Sequence, residues 1–192
     1  VGAAASGYEA FNDGNSAQDT ETTTFTTTLG LNIEPVKNVF KIRGDFSYKY
    51  TNKNTQRYVA PTSYSSTPGV MKDYVAQADS YKREYDYVTK RISANVVATF
   101  TPDFGPDHRL NVVAGWNLEN QTYDVKTILR LGMINPGMTS FEMFDGDEIS
   151  LNQYDRDWST VGTFARANYT LLNRYIVEGS VRYDINSRFP KN

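Results

Sequence analysis

Between Val39 and Tyr50 the chain reads Val-Phe-Lys-Ile-Arg-Gly-Asp-Phe-Ser-Tyr-Lys-Tyr. Phe40, Ile42, Gly44, Phe46, Tyr48 and Tyr50 take every second position, and Lys41, Arg43, Asp45, Ser47 and Lys49 take those between. Successive side chains of a strand point to opposite faces. The pattern therefore predicts one long strand with a greasy face and a charged face. Soluble strands usually end after ~5–6 residues. A strand that crosses a bilayer needs about 9–11, apolar toward lipid and polar toward the lumen. This stretch has the length and the two faces of the second kind.

Five companions share the pattern. The alternation predicts strands near 23–34, 39–50, 91–101, 109–120, 158–171 and 174–184. Their outward residues include Leu29 and Leu31, Ile92 and Val96, Val112 and Trp116, Val161 and Ala165, and Val177 and Val181. Val97, Val113 and Phe164 interrupt the polar faces. Setting outward residues against outward residues places Leu31 opposite Ile42 and Phe25 opposite Tyr48. The strands come in pairs joined by short turns, at Glu34-Pro35-Val36-Lys37-Asn38, Pro102-Asp103-Phe104-Gly105-Pro106-Asp107 and Leu172-Asn173-Arg174. Between pairs lie stretches without sustained period, 51–84 and 122–157, read as long loops, with short helical pieces allowed around Thr127 to Met133. Residues 1–19 read as the end of another loop and 20–192 as part of a barrel. Short turns on one side and long loops on the other are the asymmetry of outer-membrane barrels, whose long loops face outward from the cell. The expected fold is all-β: three antiparallel hairpins of a transmembrane barrel. Six strands with free edges leave backbone unsatisfied in lipid, so further strands are expected from a longer parent chain. The opening at Val1 and the ending at Phe189-Pro190-Lys191-Asn192 fit that expectation of an internal piece.

Composition narrows the function. No run of about 18 apolar residues exists, which excludes a transmembrane helix but not a barrel. A net charge of −2 gives no reason to expect a nucleic-acid partner. Without cysteine, and with His108 as the one histidine, thiolate metal sites and nucleophilic triads have little to draw on. No catalytic or metal-binding constellation stands out, and the chain is read as a non-enzyme. His108 reads as an ordinary turn residue. Asp145, Asp147, Glu148, Asp155 and Asp157 offer oxygen ligands for calcium in 145–157 but lack EF-hand spacing, so a solvated acidic loop is the plainer reading. Arg43-Gly44-Asp45 lies within a strand, where an adhesive tripeptide has no exposed loop to act from.

The inner faces carry the candidate solute-path residues: Lys41, Arg43, Asp45, Lys49, Arg91, Arg166, Glu178, Arg182 and Asp184. The plainer reading is an ion-paired lumen wall or contacts to a plug. Phe40, Ile42, Val112, Trp116, Val177 and Val181 are the expected lipid-facing set. Tyr58, Tyr64, Tyr74 and Tyr81 are candidate ligand-contacting residues in the first long loop.

Particular words in the sequence carry a resemblance. Thr28-Leu29-Gly30-Leu31-Asn32-Ile33-Glu34-Pro35 followed by Arg43-Gly44-Asp45-Phe46-Ser47-Tyr48 resembles a barrel hairpin of the SusC/RagA family, and Ala114-Gly115-Trp116-Asn117-Leu118-Glu119 resembles another of its strands. Arg166-Ala167-Asn168-Tyr169, Arg174-Tyr175, Arg182-Tyr183-Asp184 and Ser187-Arg188-Phe189 continue the match, with Ile185-Asn186 departing from the family's usual Gly-Ser. The resemblance runs from about residue 20 to the end. It implies a TonB-dependent outer-membrane transporter of Bacteroidota, with a plugged barrel of about 22 strands. It further implies import of oligosaccharides, glycans or peptides under a SusD-like surface lipoprotein, driven by TonB with ExbB and ExbD. A siderophore or cobalamin receptor barrel is the nearer alternative, and a soluble all-β carbohydrate-binding or adhesin module the more distant one.

Overall fold

A computed structural model describes residues 16–135, 137–138, 140–146 and 149–189, apart from the side chains of Tyr64, Ser66, Tyr74 and Ile149. Six strands form one antiparallel sheet: β1 (Ala17–Val36), β2 (Phe40–Val59), β5 (Tyr81–Phe100), β6 (His108–Leu131), β7 (Ile149–Leu171) and β8 (Tyr175–Asn186), in that spatial order. A separate hairpin, β3 (Thr62–Thr67) with β4 (Val70–Val75), is inserted between β2 and β5. Apart from that insertion every strand neighbours the next in sequence.

Apart from β8, the strands of the sheet are far longer than the alternation indicated. At about 3.3 Å per residue, a 20-residue strand such as β2 or β5 extends roughly 66 Å. The expected loop 51–84 is therefore a correction. Residues 51–59 continue β2, β3 and β4 follow, a single 3₁₀ turn covers Gln77–Asp79, and β5 begins at Tyr81. The loop expected over 122–157 contracts in the same way, because β6 runs to Leu131 and β7 starts at Ile149. Thr127 to Leu131 is strand, not helix, and the helical turn lies instead at Phe141–Met143. Of the loop expected over 1–19, residues 1–15 lie outside the described residues and 17–19 belong to β1. The physical reason is common to all of these. Apolar–polar alternation marks a strand only where its two faces meet different solvents. Thr51-Asn52-Lys53-Asn54-Thr55-Gln56-Arg57 is polar on both faces, yet its backbone pairs with neighbouring strands all the same.

The chain divides into two compact units. One holds Thr24–Tyr50, Thr89–Tyr123 and the described part of 156–192, and contains the amphipathic halves of the strands with their three tight turns. At the first turn the Val39 amide donates to the Val36 carbonyl at 3.0 Å, with Asn38 left-handed at φ 61°. Thr28 and Ser47 share a hydroxyl bond of 3.0 Å. In the other unit Thr20 and Thr55 share one of 3.2 Å. One register accounts for all three contacts, and it lies two residues from the expected Leu31–Ile42 and Phe25–Tyr48 pairing. At the third turn, Leu172 and Asn173 are both left-handed, at φ 54° and 52°, as in the type I′ turns that match strand twist. From there β7 and β8 pair without a bulge from Leu171↔Tyr175 to Thr160↔Asn186.

The second unit holds the described residues up to Thr23 with Thr51–Val88 and Asp124–Asp155. Among the described residues the buried hydrophobic side chains are Ala60, Val125, Met133 and Phe144, all in this unit. Ala60, Met133 and Phe144 pack together with Tyr58 against them. The fully buried Ser80 ties the segment after β6 to the start of β5: its Oγ accepts from the Met133 amide at 2.7 Å and its carbonyl accepts from the Gly132 amide at 2.9 Å.

Phe164, the large apolar side chain on an otherwise polar face, has a place to go. A Cβ built on Gly115 would stand 2.5 Å from the Phe164 ring and 3.1 Å from the Val96 carbonyl, so the glycine is the socket for the ring. Gly115→Val in the parent protein is expected to lower the folded, heat-modifiable fraction in outer membranes, since overpacking costs about 1–3 kcal/mol. Adding Phe164→Ala to it should recover most of that fraction. A double variant no better than Gly115→Val alone would contradict the socket.

Candidate functional site

Strand alternation divides the side chains of the first unit into two sets. Phe40 and Phe100 meet edge to face with ring centres 6.5 Å apart. Trp116, Val177 and Val181 are exposed on the same apolar face, the two valines about two-thirds so at 68% and 67%. With Ile42 and Val112 half-exposed, these residues present a broad greasy surface that the chain itself does not cover. His108 and Tyr169 share that parity. Their rings stack, and His108 Nδ1 lies 2.6 Å from the Tyr169 hydroxyl, so the lone histidine is hydrogen-bonded rather than poised for chemistry.

The opposite face is a chain of ion pairs and amide bonds. Lys41 reaches Glu34 at 3.7 Å, and Glu34 also accepts from the Asn38 amide. Arg43 approaches Asp45 at 3.5 Å, and Asn95 Nδ2 donates to the same carboxylate at 2.7 Å. Arg91 meets Glu119 at 2.5 Å. Arg166 and Asn168 both donate to Glu178, at 2.7 and 3.1 Å. Asn168 is directly opposite Glu178 in the ladder, so Arg166 reaches it diagonally, as long side chains can. Arg182 donates through Nε and Nη2 to Asp184 at 2.7 and 2.8 Å, and its Nη2 also reaches Asn117 Oδ1 at 3.3 Å. That last bond spans β7, where Gly162 leaves room: an added Cβ there would collide with the Asp184 and Asn117 oxygens. Arg182 also lies over the Phe164 ring at 5.9 Å. Lys49 is exposed and, among the described residues, pairs with no carboxylate. Exposed pairs of this kind contribute little stability singly; their effect is to hold guanidinium and carboxylate groups in fixed positions along one face.

The second unit holds a different arrangement. Tyr81, Arg83, Tyr85 and Tyr87 share one side of β5. Arg57 and Arg83 lie against Tyr81, with guanidinium carbons 5.9 and 5.4 Å from the ring centre. Arg83 also lies 5.9 Å over Tyr85 and donates to its hydroxyl at 3.1 Å. Tyr85 stacks on Tyr87 at 5.9 Å and 13°. Burial, then the neighbouring Tyr85 and Tyr154, push the Tyr87 hydroxyl above its usual range, so the ring stays neutral. On the other side of β5, Lys82 is buried with its ammonium 4.4 Å from the Phe141 ring, and Glu84 accepts from Asn54 at 3.0 Å.

Of the tyrosines expected to contact ligand, Tyr81 stands in this ladder. Tyr58 is half-buried and packs on the small core. Tyr64 and Tyr74 lie in β3 and β4 with side chains outside the described set. Arg57, Arg83, Tyr85 and Tyr87 went unnoticed in the sequence, although Tyr-x-Arg-x-Tyr-x-Tyr is itself a period of two. In the acidic stretch, Asp155 and Asp157 are exposed residues of β7, while Asp147 and Glu148 lie outside the described residues. Among the described residues no group of three His, Cys, Asp or Glu side chains is placed to hold a metal ion.

A sheet with an uncovered apolar face, an ion-paired opposite face and short turns joining its hairpins is a wall segment of a transmembrane β-barrel. The chain matches the TonB dependent receptor-like, beta-barrel family over residues 2–192 and belongs to that family, whose barrels are outer-membrane transport proteins. Its fold is similar to that of the RagAB peptide transporter, with a TM-score of 0.80 at 20% identity over 94% of this chain and 19% of that one. Structures of the RagAB peptide importer in the "open-open" and "closed-closed" states give TM-scores of 0.79 and 0.78, at 20% identity and over 93% and 92% of this chain. The chain spans about a fifth of the length of those structures. No curated protein matches it.

Arginine on the lipid face of a barrel costs roughly 2–4 kcal/mol near the bilayer midplane. Val112→Arg in the parent protein is therefore expected to cut the amount of assembled barrel several-fold, while Asn111→Arg, one residue away on the other face, leaves most of it. Quantifying the heat-modifiable band in purified outer membranes checks this. Equal losses would contradict the assignment of faces.

Proposed function

We propose that the chain is a mid-barrel segment of a SusC/RagA-type transporter that takes up peptides across the outer membrane. The observation that carries this reading is the match of its hairpins to a transporter barrel over nearly their whole length. The named hairpin words, Arg43-Gly44-Asp45-Phe46-Ser47-Tyr48 and Arg182-Tyr183-Asp184 above all, support the same branch. Peptide is preferred to oligosaccharide because the similar structures are of a peptide transporter. On this reading Phe40, Ile42, Val112, Trp116, Val177 and Val181 hold the wall in lipid. Lys41, Arg43, Asp45, Lys49, Arg91, Arg166, Glu178, Arg182 and Asp184 line the lumen. The segments past Tyr50, before Thr89 and between Asp124 and Asp155 stand on the extracellular side, where long loops of such barrels lie. Ligand is captured there beneath a SusD-like lipoprotein, a plug supplied elsewhere in the parent chain rearranges when TonB, energised by ExbB and ExbD, pulls on it, and the peptide passes inward.

Deleting TonB is expected to lower uptake of a fluorescently labelled peptide digest at least tenfold in cells carrying the parent protein, with barrel abundance unchanged. Tagged parent protein extracted in mild detergent is expected to bring a surface lipoprotein with it. Uptake that persists without TonB would overturn the energised mechanism.

A further inference from the structure

Two arginines of β2 and β5 stand apart from those of the ion-paired face. Arg91, Arg166 and Arg182 each meet a carboxylate. Among the described residues Arg57 and Arg83 have no carboxylate oxygen within 4 Å. They rest against Tyr81 instead, and Arg83 also donates to the Tyr85 hydroxyl.

A guanidinium laid on a ring keeps most of its donors free. The contact stabilises the cation electrostatically without using its planar fork, which matches a carboxylate in two parallel hydrogen bonds. The ring also fixes the guanidinium in place, so less motion is lost when a ligand binds. Access is open: Arg57 is exposed, and Tyr81, Arg83 and Tyr85 are half-exposed. The carboxylate nearest in sequence, Glu84, points to the other side of the strand and is held by Asn54. Among the described residues, the two guanidinium groups therefore stand beside the Tyr81 and Tyr85 rings with no ion-pair partner.

We propose that Arg57 and Arg83, braced by Tyr81 and Tyr85, form a binding site for the carboxylates of acidic peptides. The site rests on the peptide-transport reading above and adds to it a preference for acidic side chains. Arg57 and Arg83 both lie against the Tyr81 ring, at 5.9 and 5.4 Å from its centre, so the pair accepts two carboxylates spaced along an extended chain, as in alternating Glu residues, whose side chains share a face.

The test uses purified full-length parent transporter in detergent and two blocked probe peptides, acetyl-Gly-Glu-Gly-Glu-Gly-amide and its Gln counterpart, measured by calorimetry. The Glu peptide is expected to bind about tenfold tighter, a ratio that shrinks in high salt. In the Arg57→Gln/Arg83→Gln variant the two affinities should agree within about twofold, whereas Arg174→Gln, which removes a positive charge at a turn, should keep the preference. The Arg57→Lys/Arg83→Lys variant keeps the charge without the fork and should fall between. Equal affinity of wild-type protein for both peptides, or a preference that survives the double Gln variant, would overturn the site. TonB-dependent uptake of the Gln peptide separates the two readings. If that uptake persists while the Glu preference is absent, the acidic site is wrong and the transport reading stands.

Discussion

Lipid offers a backbone no hydrogen bonds, and this requirement governs the whole chain. Every amide within the bilayer has to be satisfied by a neighbouring strand, which forces long, registered pairing such as the twelve consecutive partners joining β7 to β8. The same requirement frees the side chains to differ by face. Outward residues meet hydrocarbon and are apolar; inward residues meet water and one another, and are charged. The small set of buried hydrophobic side chains among the described residues follows from this, because the apolar surface of the amphipathic halves is matched by the membrane and not by an internal core.

Charges are held in two ways. In the amphipathic halves, the inward cations apart from Lys49 are fixed in ion pairs along one face, with Asn95, Asn117 and Asn168 extending the pairs into networks. Small residues make the network continuous: Gly162 lets Arg182 reach across a strand, and Gly115 receives the Phe164 ring. In the other unit, Arg57 and Arg83 are held against the Tyr81 ring, Arg83 also donating to the Tyr85 hydroxyl, and neither meets a carboxylate among the described residues.

Much of this was legible in the residues. Alternation located all six strands of the sheet and their tight turns, because in those halves the two faces meet different solvents. It failed where the strands continue with polar residues on both faces, as at Thr51 to Arg57, and so it mistook strand for loop. The exceptions on the polar face were visible as exceptions, but their reason was not: nothing in the order of residues says that Phe164 fills the space left by Gly115. Of the tyrosines expected to contact ligand, Tyr81 was recognisable by type alone. Its partners come from β2 as well as β5, and only pairing of those strands brings Arg57 to its ring. Tyr58 could not be told apart from Tyr81 in sequence, since burial against Met133 and Phe144 depends on how a later segment folds back.

The central claim is that the two faces of these strands meet lipid and water. This chain holds no cysteine, so once any cysteine elsewhere in the parent protein is replaced, single cysteines report each face directly. Placed at positions 112, 116, 177 and 181 on one face, and at 111, 117 and 180 on the other, in the parent protein embedded in native outer membranes, they can be labelled with a water-soluble, membrane-impermeant maleimide. Strong labelling is expected at 111, 117 and 180 and little at 112, 116, 177 and 181, alternating with the strand. Uniform labelling of both sets, or the reverse alternation, would contradict it.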